Sequence, residues 1–397
     1  VIPMNAPCAA PTPKRLPWKT RSFRCTLTAL SPLHIGATAP EPACRYAFEK
    51  NEAASNRVFF LREETFLSRL GAMSAAEYHR RPFPAEKLPE EEALRRGTLY
   101  ELRATEAAHS LNKEVRPFIR NGFGDAYIPG TSLKGALRGA LLFSHLLYNE
   151  ELRKELRRKA NLLVEMMRNA NPTNIGRIRN EKGHAPHLEA LFRSEGFGPH
   201  SDLAKAFKVG DSTPFGEPLS LAAVNIFTAK DENGTRRLVP LTDQKGGKAA
   251  PLFCEVLPPG ATLEFDLDID VPLAEHLGAE RRRKGTARAI EAVKDKEDFL
   301  LALQDTAQFL LPLEKAFLDA AHAAFLWKSD FEAEQDDAAI IRLGWGCGWM
   351  GHSLFPLLAY DEEDTPKSPA SRKCLTASDG TPQELLGWAR LRFSERP

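Results

Sequence analysis

The 397-residue sequence predicts a mixed α+β fold, and three observations carry that reading. Short runs with period-two alternation stand near both ends and crowd the middle of the chain. Long segments between them repeat their apolar residues at helical spacing. Strands and helices do not alternate in a regular βαβ rhythm, which disfavours a doubly wound parallel sheet. Hydrophobic residues make up 43% and charged residues 27%, an ordinary globular composition that excludes a largely disordered chain or a fibre. Length alone suggests about two to three domains, and no repeat of solenoid period is evident.

Residues 1–17 are rich in Pro and Ala and read as a disordered tail. The first strand spans 21–30, where Phe23, Cys25, Leu27 and Ala29 share one face. Ser31-Pro32-Leu33-His34-Ile35-Gly36 ends it in a turn. A short strand is expected at 57–62 and another at 99–105, with helical patches between them broken by Pro82, Pro84 and Pro89. Pro129-Gly130-Thr131-Ser132 opens a helix with Leu133, Leu137, Leu141 and Leu142 on one side. Helical spacing continues over 149–170, and 171–200 reads as a long surface loop. Strands follow at 206–211, 220–228, 236–240, 252–256 and 261–271. The last of these alternates Leu263, Phe265, Leu267 and Ile269 with acidic partners after a Pro-Pro-Gly turn. Residues 285–327 read as helical, 341–351 as a glycine-dense loop, and 387–393 as the closing strand. A domain division is expected near 235, where 231–234 is rich in Gly and charge, giving units 18–235 and 236–397.

The net charge is +1, but it is not evenly spread. Residues 111–208 hold 17 Lys and Arg against 10 Asp and Glu. A local basic excess of this kind suits a polyanion. Cysteines stand at 8, 25, 44, 254, 347 and 374 with no CxxC pair, so they read as reduced packing thiols rather than zinc ligands. No signal-peptide pattern and no uncharged apolar run of about 18 residues is present, so a cytoplasmic protein without membrane spans is expected.

Three motifs could carry chemistry. The first is Ile128-Pro129-Gly130-Thr131-Ser132-Leu133-Lys134-Gly135-Ala136-Leu137-Arg138. A helix start with hydroxyls, and Lys134 and Arg138 one turn apart, fits an anion. The alternative is an ordinary helix with Thr131 or Ser132 as N-cap. It is not a Walker A loop. The second is Gly344-Trp345-Gly346-Cys347-Gly348-Trp349-Met350-Gly351. Its glycines allow close approach to a ligand, its amides could nest an anion, and its tryptophans could stack on bases. A tight connection with core tryptophans fits equally. The third is His34, readable as a general base, a phosphate contact or a satisfied structural residue. His184 and His187 lack supporting ligands and read as solvated. Arg281-Arg282-Arg283-Lys284 reads as a solvated run that could also touch RNA or a partner. No GxSxG, HExxH or DxD motif is present.

Taken in order, the His34 turn, the Lys134 helix start and the glycine loop resemble the RAMP superfamily of CRISPR–Cas proteins. Val209-Gly210-Asp211-Ser212-Thr213-Pro214, the 258–265 strand and the closing Leu386-Gly387-Trp388-Ala389-Arg390 extend that resemblance over about residues 22–393. They are similar to the type III-A (Csm) subunit at the crRNA 3′ end. The resemblance implies ferredoxin-like (RRM-like) modules with large helical and loop insertions. It also implies RNA binding through loops and helix termini, and the usual aromatic RNA-stacking signature is indeed missing. The backbone subunit of such complexes cuts target RNA with an aspartate after its first strand. Residues 36–41 here contain no aspartate, and Glu41 is the nearest carboxylate.

By resemblance the chain is non-catalytic and needs no metal or cofactor. It would contact RNA through His34, Gly36, Thr131, Ser132, Lys134, Arg138, Gly344, Gly346 and Gly348. Implied partners are crRNA, target RNA, the repeated RAMP backbone subunit, the small helical subunit and host trimming nucleases. Two alternatives stay open: a metal-independent repeat endoribonuclease using His34, and a large RAMP subunit of a type III-B or related complex.

Overall fold

The computed structural model describes residues 19–37, 39–49, 56–70, 81–83, 91–168, 191–192, 202–232, 234–241, 251–283, 290–291, 293–332, 336–347, 354–358 and 371–396. The expected N-terminal tail, nearly all of the expected 171–200 loop, Gly348 and Lys284 lie outside them. The strands are β1 (Thr20–Ala29), β2 (Tyr46–Phe48), β3 (Arg57–Leu61), β4 (Thr98–Ala104), β5 (Val115–Arg116), β6 (Phe207–Val209) and β7 (Leu219–Glu232). They continue as β8 (Thr235–Pro240), β9 (Leu252–Val256), β10 (Thr262–Asp270), β11 (Ala338–Arg342), β12 (Ser371–Thr376), β13 (Pro382–Leu385) and β14 (Trp388–Glu395). The helices are α1 (Glu63–Leu70), α2 (Glu91–Gly97), α3 (Gly130–Leu147), α4 (Glu150–Arg168), α5 (Val271–Arg283), α6 (Lys296–Ala320) and α7 (Phe355–Leu358). The class is α+β.

One sheet runs β11-β14-β1-β10-β6, antiparallel at every step. Its centre follows directly from sequence alternation. Phe23, Cys25, Leu27 and Ala29 of β1, with Leu263, Phe265, Leu267 and Ile269 of β10, are all buried on one face. The opposite face is polar and cross-linked. Arg24 donates to Asp266 at 2.8 Å and to Glu264 at 2.9 Å, and Ser22 donates to Asp268 at 2.6 Å. This sheet face therefore presents ion pairs rather than aromatics.

Helices α3 and α6 cover the apolar side. Phe207 at the start of β6 meets Phe299 of α6 edge-on at 5.0 Å, and Phe143 of α3 meets Phe309 of α6 at 5.4 Å. Ser144 and Tyr148 bind the buried Asp305 carboxylate at 2.5 and 2.8 Å and fix how the two helices cross. Asp295 and Asp298 form a capping box that starts α6.

The second sheet runs β13-β12-β7-β4-β3-β2, with β9 and β8 beside β7 and β5 beside β9. Strand β7 is its spine. The first half of β7 lies between β4 and β9, the second between β12 and β8. Both sheets draw strands from either side of residue 235, and Thr235 itself pairs with Glu232 in the β7–β8 hairpin.

Several expectations are corrected. The strand expected to end at 271 ends at Asp270, whose carboxylate accepts from the Leu273 N–H and caps α5. Helix α5 was not anticipated, because its acidic and basic residues mask any apolar stripe. Of the helical stretch expected over 285–327, residues 285–289 and 292 lie outside the described residues; the rest holds α6 from Lys296 to Ala320 and a 3-10 turn at Ala324–Leu326. Ile341 and Arg342, assigned to the glycine loop, close β11. The expected strand at 206–211 is shorter, Phe207–Val209: Gly210 N–H still donates to the Asp266 carbonyl of β10, but the Asp211 carboxylate turns to the Gly130 N–H at the start of α3. Neither Thr131 nor Ser132 is the N-cap, which is Pro129 and offers no side-chain bond.

The five described cysteines are all unpaired and buried, consistent with packing thiols. Burial pushes Cys25, Cys254 and Cys374 up to about 12 and Cys44 and Cys347 up to about 11. No described helix is long and apolar enough to cross a membrane.

Candidate nucleic-acid interface

The end of β1, the glycine loop and the turn before β14 lock together. Leu30 and Ser31 N–H groups both donate to the Trp388 carbonyl, and Gly387 N–H donates to the Pro32 carbonyl at 3.0 Å. Trp345 N–H donates to the His34 carbonyl at 2.8 Å. This is possible because Gly344 has φ +77, and a Cβ there would overlap the His34 carbonyl oxygen. A Cβ on Gly346 would lie 2.5 Å from Leu386. At both glycines the close approach is therefore by the chain's own backbone. Gly36 stays exposed and bridges to Phe118.

His34 is only 2% exposed, and its Nδ1 lies 2.7 Å from the Glu255 carbonyl. A carbonyl only accepts, so Nδ1 carries a proton, and burial in this apolar setting disfavours a second one on Nε2. Phe118 and Trp345 meet the ring edge-on at 6.3 and 5.8 Å. A general base needs access to its substrate, and this ring has little. Burial first, and the nearby Arg116 charge as well, hold its pKa below the usual 6.5, against the Glu255 carbonyl bond. The unfolded chain takes up a proton at pH values where the folded ring still refuses one. Stability contributed by this residue is present above about pH 6.5 and falls as pH drops below it. Urea midpoints between pH 7.5 and 5.5 should decline in the parent and decline less steeply in His34→Gln. Parallel slopes would refute the assignment.

At the start of α3, Gly130 packs so tightly under β6 that a Cβ would overlap the Val209 carbonyl. Gly130 N–H donates to the Asp211 carboxylate at 2.7 Å. The positive end of the helix thus already holds a carboxylate from this chain. Lys134 is half-buried, donates to the Phe207 carbonyl at 2.8 Å and lies over the Phe207 ring. Burial lowers its pKa, more than neighbouring Asp202 restores it. Arg138 pairs with Asp202 at 3.3 Å and lies 4.0 Å over the Phe192 ring. Thr131 is exposed and Ser132 half-buried. Thr131, with Gly135 and Gly139, forms an open strip along the helix, as nothing stands within 4 Å of a Cβ on either glycine.

Segment 115–128 joins these two regions. Gly36 bridges Phe118, Arg120 bridges Ala126, and Ala126 bridges Phe215 close to Asp211. Beneath it lies Glu255, with no exposed surface. Its carboxylate accepts from Tyr46 at 3.1 Å, Tyr100 at 2.7 Å, Phe118 N–H at 3.1 Å and Arg120 at 3.0 Å. Burial, and then the Glu255 charge, push both tyrosines well above their usual range.

The structure adds residues the sequence reading missed. Trp345 carries two cations, Arg116 at 5.0 Å and Lys373 at 4.8 Å from its ring centre. Lys373 also donates to the Trp345 carbonyl at 3.0 Å. Among the described residues neither cation has a carboxylate partner. Burial lowers the Lys373 pKa, and Arg342 and Arg116 lower it further. Arg116 lies in the basic segment visible in the sequence, whereas nothing local marks Lys373. Glu41 keeps to a structural place beside Arg45 at 3.7 Å, and burial raises its carboxyl. Among the described residues no cluster of His, Cys, Asp and Glu could hold a metal.

This geometry joins a helix start, a glycine loop and a first-strand turn across one sheet end. A family model described as the RAMP superfamily matches residues 26–350, most of the chain. The chain belongs to the RAMP superfamily. This RAMP chain is similar to the CRISPR system Cms protein Csm5 of Streptococcus thermophilus, at 29% identity over 191 residues. The match covers 48% of this chain and 42% of that relative, so it spans less than half of the relative's length. Two solved structures share the RAMP chain's fold, each with TM-score 0.57 and 20% identity. One is a chain of a Csm-crRNA-target RNA ternary complex from a type III-A CRISPR-Cas system, covering 93% of this chain and all of that one. The other is T.onnurineus Csm5, covering 92% of this chain and 99% of that one.

Proposed function

We propose that this chain is a crRNA-binding subunit of a type III-A (Csm) effector complex. In this reading it caps the backbone filament at the crRNA 3′ end in the cytoplasm and supports crRNA maturation and target RNA binding. It cuts no RNA itself. Its partners are the repeated RAMP backbone subunit, the small helical subunit and host trimming nucleases. The likeness to Csm5 supports the assignment.

The observation that carries RNA binding is the pair Arg116 and Lys373 on Trp345. Two like charges share one ring beside a neutral buried histidine, with no described carboxylate to balance them. A phosphate between them relieves that repulsion, and sequence-blind holding of a guide calls for such contacts. Gly36 and the exposed side of Thr131 and Ser132 extend the path toward α3. Lys134 and Arg138 complete it once Arg138 turns from Asp202.

We read the modules as sheets rather than as sequence halves. In the first sheet β1, α3, β6, β10, α6 and β14 run in β-α-β-β-α-β order, with β14-β1-β10-β6 as neighbours. That is the ferredoxin-like (RRM-like) arrangement, with β11 added at the edge and the second sheet built from the insertions.

The test is RNA affinity of the full chain for a mixed-sequence single-stranded oligoribonucleotide between 50 and 200 mM salt. The parent should bind with log affinity falling linearly with log salt. Arg116→Ala with Lys373→Ala should weaken binding at least about tenfold and flatten the slope by about 1.4, two contacts at about 0.7 each. An unchanged slope in the folded double variant would remove these cations from the RNA path.

A further inference from the structure

We infer that Phe123 is a base-stacking post, on which one nucleobase of the bound RNA lies. The inference rests on the RNA-binding reading above and adds a contact of a different kind. Phe123 is 92% exposed, the most exposed large apolar side chain among those described. It stands at the tip of Asn121-Gly122-Phe123-Gly124-Asp125.

The turn that displays it is rigidly built. The Asn121 side-chain oxygen accepts from both Phe123 N–H and Asp125 N–H at 2.9 Å. Asn121 N–H donates to the Asp125 carbonyl, Gly124 N–H donates back to the Asn121 carbonyl, and Gly124 has φ +90. Arg120 reaches the Gly124 carbonyl at 3.0 Å through one nitrogen and Glu255 through another. A buried carboxylate therefore anchors a tip whose own side chain touches solvent. An ordered loop holding an apolar ring in water is preorganised for a contact made elsewhere.

Several observations favour a base over a protein neighbour. Gly122 and Gly124 flank the ring, and nothing stands within 4 Å of a Cβ on either, so the ring is not hemmed in. The turn otherwise holds only Gly122, Gly124 and the polar Asn121 and Asp125, so it offers one ring and not an apolar patch of the size a protein interface needs. The turn also lies within segment 115–128, between Arg116 and the start of α3. A backbone held at Arg116 and at α3 passes this segment. Stacking needs only a π face and tolerates any sequence, as guide binding requires.

The experiment compares the full chain with Phe123→Ala, Phe123→Leu and Phe123→Trp, using the same mixed-sequence oligoribonucleotide. Phe123→Ala is expected to weaken binding about tenfold with an unchanged salt slope, since no counterion contact is lost. Phe123→Leu should weaken it similarly, because it keeps apolar bulk without the ring. Phe123→Trp should bind at least as well as the parent, and its added tryptophan emission should quench on RNA addition. Unaltered affinity in Phe123→Ala, or full affinity in Phe123→Leu, overturns stacking while leaving RNA binding in place. Loss of a neighbouring subunit from the reconstituted complex, with RNA affinity of the chain unchanged, assigns Phe123 to protein docking and overturns it as well. Failure of the parent to bind RNA overturns the function proposed above and this inference together. Folding is not at issue at so exposed a position, and unchanged thermal midpoints confirm it.

Discussion

Glu255→Ala should lower unfolding stability by about 3–5 kcal/mol, the cost of leaving a buried charge without its partner. Arg120 would lose its carboxylate while its guanidinium remains packed on the Tyr100 ring at 3.4 Å. The fully buried Tyr46 hydroxyl and the half-buried Tyr100 hydroxyl would both lose their acceptor, the first at the larger desolvation penalty. Urea denaturation of the two proteins measures the difference. Glu255→Gln, which keeps an acceptor but not the charge, should fall between them. A loss under about 1 kcal/mol in Glu255→Ala would mean that Arg120 finds water and that the network does not hold segment 115–128 in place.

Gly344→Ala should cost about 2–4 kcal/mol. The position combines φ +77 with a Cβ that would overlap the His34 carbonyl. Relief requires the glycine loop to part from the first-strand turn, breaking the Trp345 to His34 backbone bond. Trp345 then shifts relative to Arg116 and Lys373, so RNA affinity should fall along with stability. Gly135→Ala supplies the contrast. It sits on the open face of α3 with nothing near a Cβ, and alanine is the better helix former by about 1 kcal/mol. Its unfolding midpoint should therefore rise. Equal midpoints for the parent and Gly344→Ala would show that the loop is not held as described.

The two glycine motifs show where sequence reading succeeds and where it stops. A run of alternate glycines announces close approach, and close approach is what Gly344 and Gly346 make. What approaches, the chain's own backbone at His34 and Leu386, has no local signature. The helix start is similar. Leu133 and Leu137 were readable as buried and are so, but the Asp211 carboxylate on Gly130 comes from a distant turn. Helices α5 and α7 and strands β2, β5, β11, β12 and β13 carry no clear local pattern. They are short or mixed in polarity, and their pairing, not their periodicity, makes them regular.

The sequence by itself determined the α+β class, the inward faces of β1 and β10, the span of α3 and the motifs that carry the superfamily resemblance. Each is written in local spacing, because burial follows period two in a strand and about 3.6 in a helix. Only the tertiary structure decided that Arg116 and Lys373 share Trp345, that Glu255 gathers four donors under segment 115–128, and that Phe123 stands out from it. These depend on distances between residues far apart in the chain. Coulomb and hydrogen-bond energies act over a few ångströms of space and carry no trace in residue order.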